Sequence, residues 1–293
     1  MDLCLGLDTL AGARLSTPME APVSARFHKA RQFGLSLYRQ RWLLLQFIRR
    51  ELGSRYAGST AGALWAVAHP LLQLAIYALV FEGVFRVRLP PEQNYPYLLF
   101  VAVGLWPWLA FQEAVVRGTQ AVVNNAALVK KIPFSHELLV VASVTSVFFI
   151  HLCGYLIVLA LMSVLGYSMH WSGLPWVALI VVLLYLFSLA LALALAALHV
   201  FVRDVEQILV HGLSLLFYVS PILYSGKMIP AWLSDIMKLN PLSHYFETIR
   251  MALLDGKTPA AAEIGLLIAF SVAALAAGVA LFRRMSPHFE DAL

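Results

Sequence analysis

The chain alternates between long apolar runs and short polar stretches. Six runs are almost entirely apolar, and at about 1.5 Å per helical residue each reaches the roughly 30 Å hydrocarbon core of a bilayer, with flanking residues extending the shortest ones. The pattern therefore predicts an all-α integral membrane protein with six transmembrane helices. The predicted spans cover residues 62–81, 95–112, 138–167, 173–202, 208–225 and 264–282. Pro70, near the start of the first span, predicts a kink or a break there.

An amphipathic helix is predicted before the first span, over residues 35–60. Apolar side chains such as Tyr38, Trp42 and Leu45 recur there at three- and four-residue spacing, while arginines occupy the other positions. Such a helix lies in the membrane interface. Residues 1–34 lack a basic segment followed by an apolar core, so they do not resemble a cleaved signal peptide. We expect them to form a flexible cytoplasmic tail.

A polar island, residues 124–137, separates the second and third spans. Residues 126–132 can form about two helical turns, which Pro133 ends. Lys130 and Lys131 indicate the cytoplasmic side, because short basic loops are retained there. Two interpretations follow. Either a soluble partner binds this short helix, or the loop only determines the membrane topology of the chain and contacts lipid phosphates.

Residues 228–254, between the fifth and sixth spans, are amphipathic and interrupted at Asn240-Pro241. The two pieces, 231–239 and 242–254, are each too short to cross a bilayer. They are predicted to be re-entrant half-helices on the outer side, since broken backbone at membrane depth is tolerated only against protein or water. A segment lying flat on the outer surface is the alternative.

Composition and charge agree with a membrane protein. Of the 293 residues, 61% are hydrophobic and 13% charged, and the mean hydropathy is +0.78, far above a soluble domain. The net charge of +5 reflects nine basic residues before position 60, which favours a membrane surface over nucleic acid. An N-in, C-in orientation places these nine on the cytoplasmic side with six of the twelve other basic residues, which makes 15 basic residues inside against six outside. That side gains Arg117, Lys130, Lys131, Arg203, Arg283 and Arg284, against Arg86, Arg88, Lys227, Lys238, Arg250 and Lys257 outside.

Candidate enzymatic chemistry is sparse. Cys4 and Cys153 cannot build a disulfide framework or a thiolate metal site, and no metal site is expected. Gly256-Lys257-Thr258 ends like a phosphate-binding loop, but Met251 stands where its first glycine is required. No catalytic residue is therefore assigned, and no cofactor on this chain. A membrane-embedded glycosyl- or phosphotransferase is the alternative of a different class, and its candidate groups lie scattered over different helices and depths. They are His69, Glu82, Glu113, His151, His199 and His211.

Two sets of side chains are candidate binding residues. Arg49, Arg50 and Arg55, at the mouth of the first span, can hold an anionic headgroup or pyrophosphate, although the same helix also serves as an anchor. Aromatic rings stack on the C–H faces of sugars, but they also form belts at membrane interfaces. The predicted glycan path is formed by Tyr77, Phe81, Tyr218 and Tyr224.

Three groups of residues together resemble the membrane subunit of ABC-2-type polysaccharide exporters, the permeases for O-antigen, teichoic acid and capsule glycans. The resemblance covers residues 35–285. Two departures are His69, where the family commonly has Asn, and the longer tail before residue 35. The motifs are Arg55-Tyr56-Ala57-Gly58-Ser59 with Gly62-Ala63-Leu64-Trp65 and His69-Pro70-Leu71, then Asn124 to Phe134, then Asn240-Pro241-Leu242-Ser243-His244.

The resemblance implies a transmembrane domain over residues 61–285, a coupling helix at about 124–133, outer half-helices at about 228–254 and a cytoplasmic C-terminal tail over 286–293. It implies a homodimer in the bacterial inner membrane with two ATPase subunits, which bind ATP and Mg. Export of an O-antigen-like polymer is the expected function; capsule, teichoic-acid, small-lipid or drug export are alternatives. The residues expected to contact the ATPase are Asn124, Asn125, Leu128, Lys130, Lys131 and Pro133.

Overall fold

A computed structural model describes residues 33–55, 62–91, 93 and 95–293. In this part of the chain all regular secondary structure is helical. Most of the predicted tail, most of the Arg55 to Ser59 motif and residues 56–60 of the predicted interfacial helix lie outside the described residues. Residues 33–39 are helical, so helical structure begins before position 35.

The α-helices are numbered in chain order. They are α1 Arg41–Ser54, α2 Trp65–Tyr77, α3 Tyr97–Gln120, α4 Ala126–Lys131, α5 Glu137–Val164, α6 Leu174–Phe201, α7 Val205–Val219, α8 Ala231–Leu239, α9 Pro241–Leu253, α10 Ala261–Met285 and α11 Phe289–Ala292. A π-helical segment, Ala78–Val84, continues α2. Short 3-10 turns occupy Gly62–Leu64, Val123–Asn125, Trp171–Gly173, Gly226–Met228 and Ser286–His288.

Five helical stretches of the described chain are long and apolar enough to cross a membrane, whereas six were predicted. Pro70 lies inside α2, which continues through it, so of the predicted kink or break only the kink stays a prediction. The predicted fifth span corresponds to α7, which has only 15 residues and ends at Val219. It stops because Ser220 is held extended before Pro221, which also lacks the N–H that a helix needs. The five stretches are Trp65–Val84, Tyr97–Gln120, Glu137–Val164, Trp171–Phe201 and Ala261–Ala292.

The second span is longer than predicted. Helix α3 continues past residue 112 to Gln120 and carries Glu113 and Arg117, whose side chains pair one turn apart at 2.6 Å. Its 24 residues correspond to about 36 Å. Opposite charges four residues apart stabilise a helix, so these charged residues extend α3 beyond the apolar run and do not end it.

Helix α3 lies at the centre of the bundle. In the most apolar 18 residues of α3, 78% of the residues are buried, against 11% in the corresponding stretch of the first span. It packs against α5 and α6, and α10 packs against α6. Gly118 lies on Ala192 and Gly278 on the Ala190 carbonyl, so closely that an added methyl group would overlap. Small residues thus let these membrane helices approach.

The C-terminal residues pack against the bundle. Phe289, in α11, is fully buried and lies edge-on to Phe282 at 5.3 Å between ring centres. The segment predicted as a C-terminal tail is therefore a helical cap on this end of the protein.

Candidate functional site

The polar island folds as a short projecting helix. Val129 is buried and anchors α4, while Asn124, Lys130, Lys131 and Pro133 are exposed. Asn125 and Leu128 are half-buried. The predicted contact residues therefore include an exposed, basic end next to Ile132, an apolar residue that is 49% exposed. This surface can contact a soluble partner.

Helix α1 contacts the polar island on both sides of α4. At its start, Arg50 donates from Nη2 to Asn125 Oδ1 at 2.6 Å, and the Asn125 amide donates to the Ala121 carbonyl at 2.8 Å. After the end of α4, Phe134 packs on Phe47 of α1 with 5.6 Å between ring centres. The N-terminal helix and the short helix α4 are thus joined at two points.

The segment just after α4 is joined to the C-terminal cap. The His136 ring stacks on Phe289 at 6.0 Å, and its Nδ1 lies 3.2 Å from Ser286 Oγ. Burial lowers the pKa of His136, which favours the neutral ring at physiological pH. Helix α1 and the C-terminal cap therefore lie on either side of the polar island.

A buried carboxylate links three helical segments. Glu137, at the start of α5, accepts hydrogen bonds from Arg283 Nη2 on α10 at 2.7 Å and from Ser36 Oγ at 2.8 Å. Arg283 Nε adds a second bond at 3.2 Å, which makes the pair bidentate. This network fixes the N-terminal helical residues against the membrane domain.

A polar cavity of about 660 Å³ lies beside α3. Glu113 accepts from Arg55 at 2.6 Å and lies 2.9 Å from His151 Nε2. Arg117 binds the other oxygen of Glu113, and His69 also lines the cavity. Its two guanidinium groups face one carboxylate, so positive charge predominates.

The structure separates the three arginines that were predicted to act together. Arg55 lies in the Glu113 cavity, whereas Arg50 contacts the start of α4. Arg49 is exposed. Arg55 and Arg117 share the Glu113 carboxylate, whereas the sequence predicts Arg117 only as a cytoplasmic-side charge.

Glu113 and His151 were predicted to be scattered at different depths, and for this pair the prediction was wrong. They come from different helices, α3 and α5, yet lie within hydrogen-bond distance. No sequence spacing links them. The sequence does indicate one other contact of this site, because the four-residue separation of Glu113 and Arg117 predicts an ion pair on one helix.

The predicted aromatic path is largely contiguous within one chain. Tyr77 stacks on Phe217 at 5.7 Å and contacts Phe81 edge-on at 6.4 Å between ring centres. Tyr218 adjoins Phe217 and is 64% exposed. Tyr224 donates its hydroxyl proton to the Tyr218 carbonyl. These rings connect the first span with α7.

Arg250 is a buried cation, although the sequence predicts it only as an outer-side charge. Its guanidinium donates to the carbonyls of Phe100 at 3.2 Å, Ile222 at 2.8 Å and Pro221. It also lies 3.6 Å from the Phe100 ring centre. Burial lowers its pKa to about 10, which leaves it charged. It ties α9 to α3 and to the turn after α7.

The sequence matches the ABC-2 type transporter family over residues 43–254. It is 34% identical over 262 residues to the O-antigen export system permease protein RfbA of Myxococcus xanthus, covering 88% of this chain and 97% of that protein. It is 29% identical to the Klebsiella pneumoniae protein of the same name, covering 86% and 95%. The Escherichia coli polysialic acid transport protein KpsM is 24% identical, covering 80% and 90%.

Proposed function

The chain belongs to the ABC-2 type transporter membrane family, and from this membership we propose that it is the permease subunit of an ATP-driven polysaccharide exporter. Its substrate is a lipid-linked polymer of the O-antigen type. The observation that carries the proposal is the similarity, over nearly the whole chain, to relatives named as O-antigen export permeases. ATP hydrolysis is assigned to a separate ATPase subunit.

The coupling surface of the proposal is the exposed part of α4. Lys130, Lys131 and Pro133 face away from the bundle, while Val129 anchors the helix. A displacement of this surface is transmitted to α1 through Arg50 and Asn125, and to α10 through the residues around Glu137. The short helix is thus suited to receive movement from an ATPase.

The proposed topology is N-in and C-in in the bacterial inner membrane. With α7 as a sixth crossing beside the five long spans, both chain ends lie on the cytoplasmic side with α4. At about 22 Å, α7 is shorter than the hydrocarbon core. The buried turn after it, which includes Ser220 and Ile222, extends the crossing against protein. Helices α8 and α9 then form the outer re-entrant pair.

The proposed assembly is a homodimer. The first span and α7 leave large apolar side chains exposed, including Leu79 at 68% and Leu215 at 70%. A second copy that covers these faces brings the two aromatic paths together. The polymer then passes between the first spans and α7 helices of the two subunits.

The proposed docking point for the polymer's lipid pyrophosphate is the Glu113 cavity. Arg55 and Arg117 supply donors there, and Gln73 and Gln112 also line it. An anion can take donors that now bind Glu113. Arg49 and Arg50 lie on α1 and favour anionic headgroups at the membrane surface.

The test is deletion of the gene in the producing bacterium, followed by complementation. We expect polysaccharide to disappear from the cell surface and accumulate inside on its lipid, with synthesis intact. Loss of synthesis would favour the membrane transferase, and unchanged surface polymer would favour small-lipid or drug export. Complementation with the wild-type gene is the control.

A further inference from the structure

The Glu113 cavity contains two glutamine side chains that are not needed to hold an anion. Gln73, on α2, and Gln112, on α3, both line the cavity and are half-buried, so a ligand can reach them. An amide has no net charge and can both donate and accept hydrogen bonds, whereas a guanidinium only donates. The two amides therefore indicate a ligand that has a neutral polar part beside its anionic part.

Neighbouring aromatic residues determine which atom each amide offers to the cavity. Gln73 Nε2 donates to the Tyr77 hydroxyl at 3.1 Å, and Gln112 Oε1 accepts from Trp108 Nε1 at 2.9 Å. Within the described residues, Gln73 Oε1 and Gln112 Nε2 make no hydrogen bond, and neither atom is buried. One wall of the cavity thus offers an acceptor and the other offers donors. Hydroxyl groups suit both walls, because a hydroxyl both donates and accepts.

The two amides lie between the docking point for the diphosphate and the aromatic path. Tyr77, which binds Gln73, is itself a ring of the path, and it stacks on Phe217 at 5.7 Å between ring centres. Trp108, which binds Gln112, packs on the same Phe217 at 5.5 Å. A polymer that extends from the docking point into the path therefore passes both amides.

An aromatic ring of the first span also faces this cavity. Trp65 lines it and is 55% exposed. Trp65 lies eight residues before Gln73 in α2, a spacing that places both side chains on one side of the helix. An indole ring can pack on the C–H face of a sugar. The cavity thus combines guanidinium groups for phosphate, amides for hydroxyls and an aromatic ring for a sugar face.

We propose that Gln73 and Gln112 bind the first sugar of the polymer, the one joined to the lipid diphosphate. The inference rests on the proposed function and extends it, because it assigns the residues that distinguish the glycosylated lipid from the bare lipid diphosphate. Gln73 Oε1 accepts from one hydroxyl, Gln112 Nε2 donates to another oxygen of the same sugar, and Trp65 packs on the ring. A site built to bind a hydroxyl discriminates against an analogue that lacks it, because its polar groups are then left unpaired.

The experiment measures binding to the complete exporter, permease and ATPase, in phosphatidylcholine nanodiscs. The probes are diesters of farnesyl diphosphate whose second substituent is methyl, glucosyl, galactosyl or N-acetylglucosaminyl, so they share charge and lipid tail and differ in the sugar. We expect wild type to bind at least one glycosyl probe about tenfold more tightly than the methyl probe. Gln73→Met and Gln112→Met should each weaken binding of that glycosyl probe about three- to tenfold, as loss of one hydrogen bond does, and leave binding of the methyl probe unchanged.

Two further variants separate sugar binding from other effects. Gln46→Met changes an exposed glutamine on α1 and should bind every probe like wild type. Arg117→Gln removes a guanidinium from the docking point, and it should weaken binding of the methyl and glycosyl probes equally, because both carry the diphosphate.

Equal binding of the methyl and glycosyl probes by wild type would overturn the inference and leave the proposed function standing. An equal loss of both kinds of probe in the glutamine variants would also overturn it, since that result indicates a structural role for the amides. If no probe binds, the inference and the diphosphate docking both fail, whereas the gene deletion still decides whether the chain exports a polysaccharide.

Discussion

At the residue scale, Arg250 is held at low exposure by neutral partners. Three backbone carbonyls and an aromatic ring surround its guanidinium, and the rigid fork of five donors suits this role. Gly104 makes the position possible, because a methyl group there would overlap the guanidinium. The residue therefore sets how α9 meets the turn after α7.

Arg250→Met is expected to destabilise the protein by about 3 kcal/mol or more, since it leaves buried carbonyls without donors. Arg250→Lys should recover only part of the loss, because an ammonium group cannot reproduce the planar fork. Thermal unfolding of the purified protein in detergent measures both. Arg284→Met, at an exposed position on α10, is the control, and equal melting temperatures for Arg250→Met and wild type would contradict the prediction.

Residue types in the sequence indicated the Arg250 and Glu113 sites only partly. Arg250 was assigned to the outer side, but its burial depends on Phe100 and the turn at residues 220–222, which are far away in sequence. Glu113 and His151 come together because α3 and α5 pack side by side. Such pairing depends on the tertiary structure, and the local patterns of a single sequence do not predict it.

A second prediction at this scale concerns Glu137. Glu137→Gln removes the charge that holds Arg283, while Ser36 keeps one possible acceptor. Residues 33–54 should then detach more often, and tryptic cleavage after Arg39 and Arg41 should accelerate several-fold, as for local unfolding. Limited proteolysis in detergent measures it. Glu51→Gln is the matched control on α1, and unchanged cleavage would show that the network does not restrain the helix.

At the scale of elements, sequence signals with a local cause gave accurate bounds. The half-helices were predicted to meet at Asn240-Pro241, and α8 ends at Leu239 while α9 begins at Pro241. Asn240 caps α9 by accepting from the Leu242 amide at 3.0 Å. In contrast, the fifth span was predicted too long, because apolar residues continue beyond Pro221 although the helix does not.

Helix α4 allows a direct test of coupling. Lys130→Glu with Lys131→Glu should leave membrane insertion intact but weaken association with the ATPase about tenfold, because two attractive contacts become repulsive. Co-purification and stimulated ATP hydrolysis measure the effect. Arg88→Glu with Lys257→Glu, on two exposed side chains of the predicted outer side, is the charge-matched control. Unchanged association and transport would remove α4 from the proposed interface.

At the scale of the whole molecule, burial is distributed unevenly around the bundle. Helix α3 is largely enclosed and α5 and α6 are about half buried, whereas the first span and α7 have few buried residues. Apolar exposure alone does not distinguish lipid from a second subunit. The aromatic path on this exposed side supports the second subunit.

Cysteine cross-linking tests that assembly. In a background with Cys4 and Cys153 replaced by serine, Leu79→Cys and Leu215→Cys are expected to form cross-links between copies under mild oxidation. Leu156→Cys, exposed on α5, is the matched control and should remain monomeric on denaturing gels. Cross-linking at position 156 alone would place the dimer contact on a different face.

The shortness of α7 has a consequence for the surrounding lipid. In the proposed topology, lipid that reaches α7 at the edge of the dimer contact meets about 22 Å of helix beside a hydrocarbon layer of roughly 30 Å, and the bilayer relieves this hydrophobic mismatch by thinning locally. Acyl chains next to α7 should therefore be compressed, and headgroups of the two leaflets should come closer together there. A large polar headgroup would therefore have a shorter apolar distance to cross beside this helix than in the undisturbed bilayer.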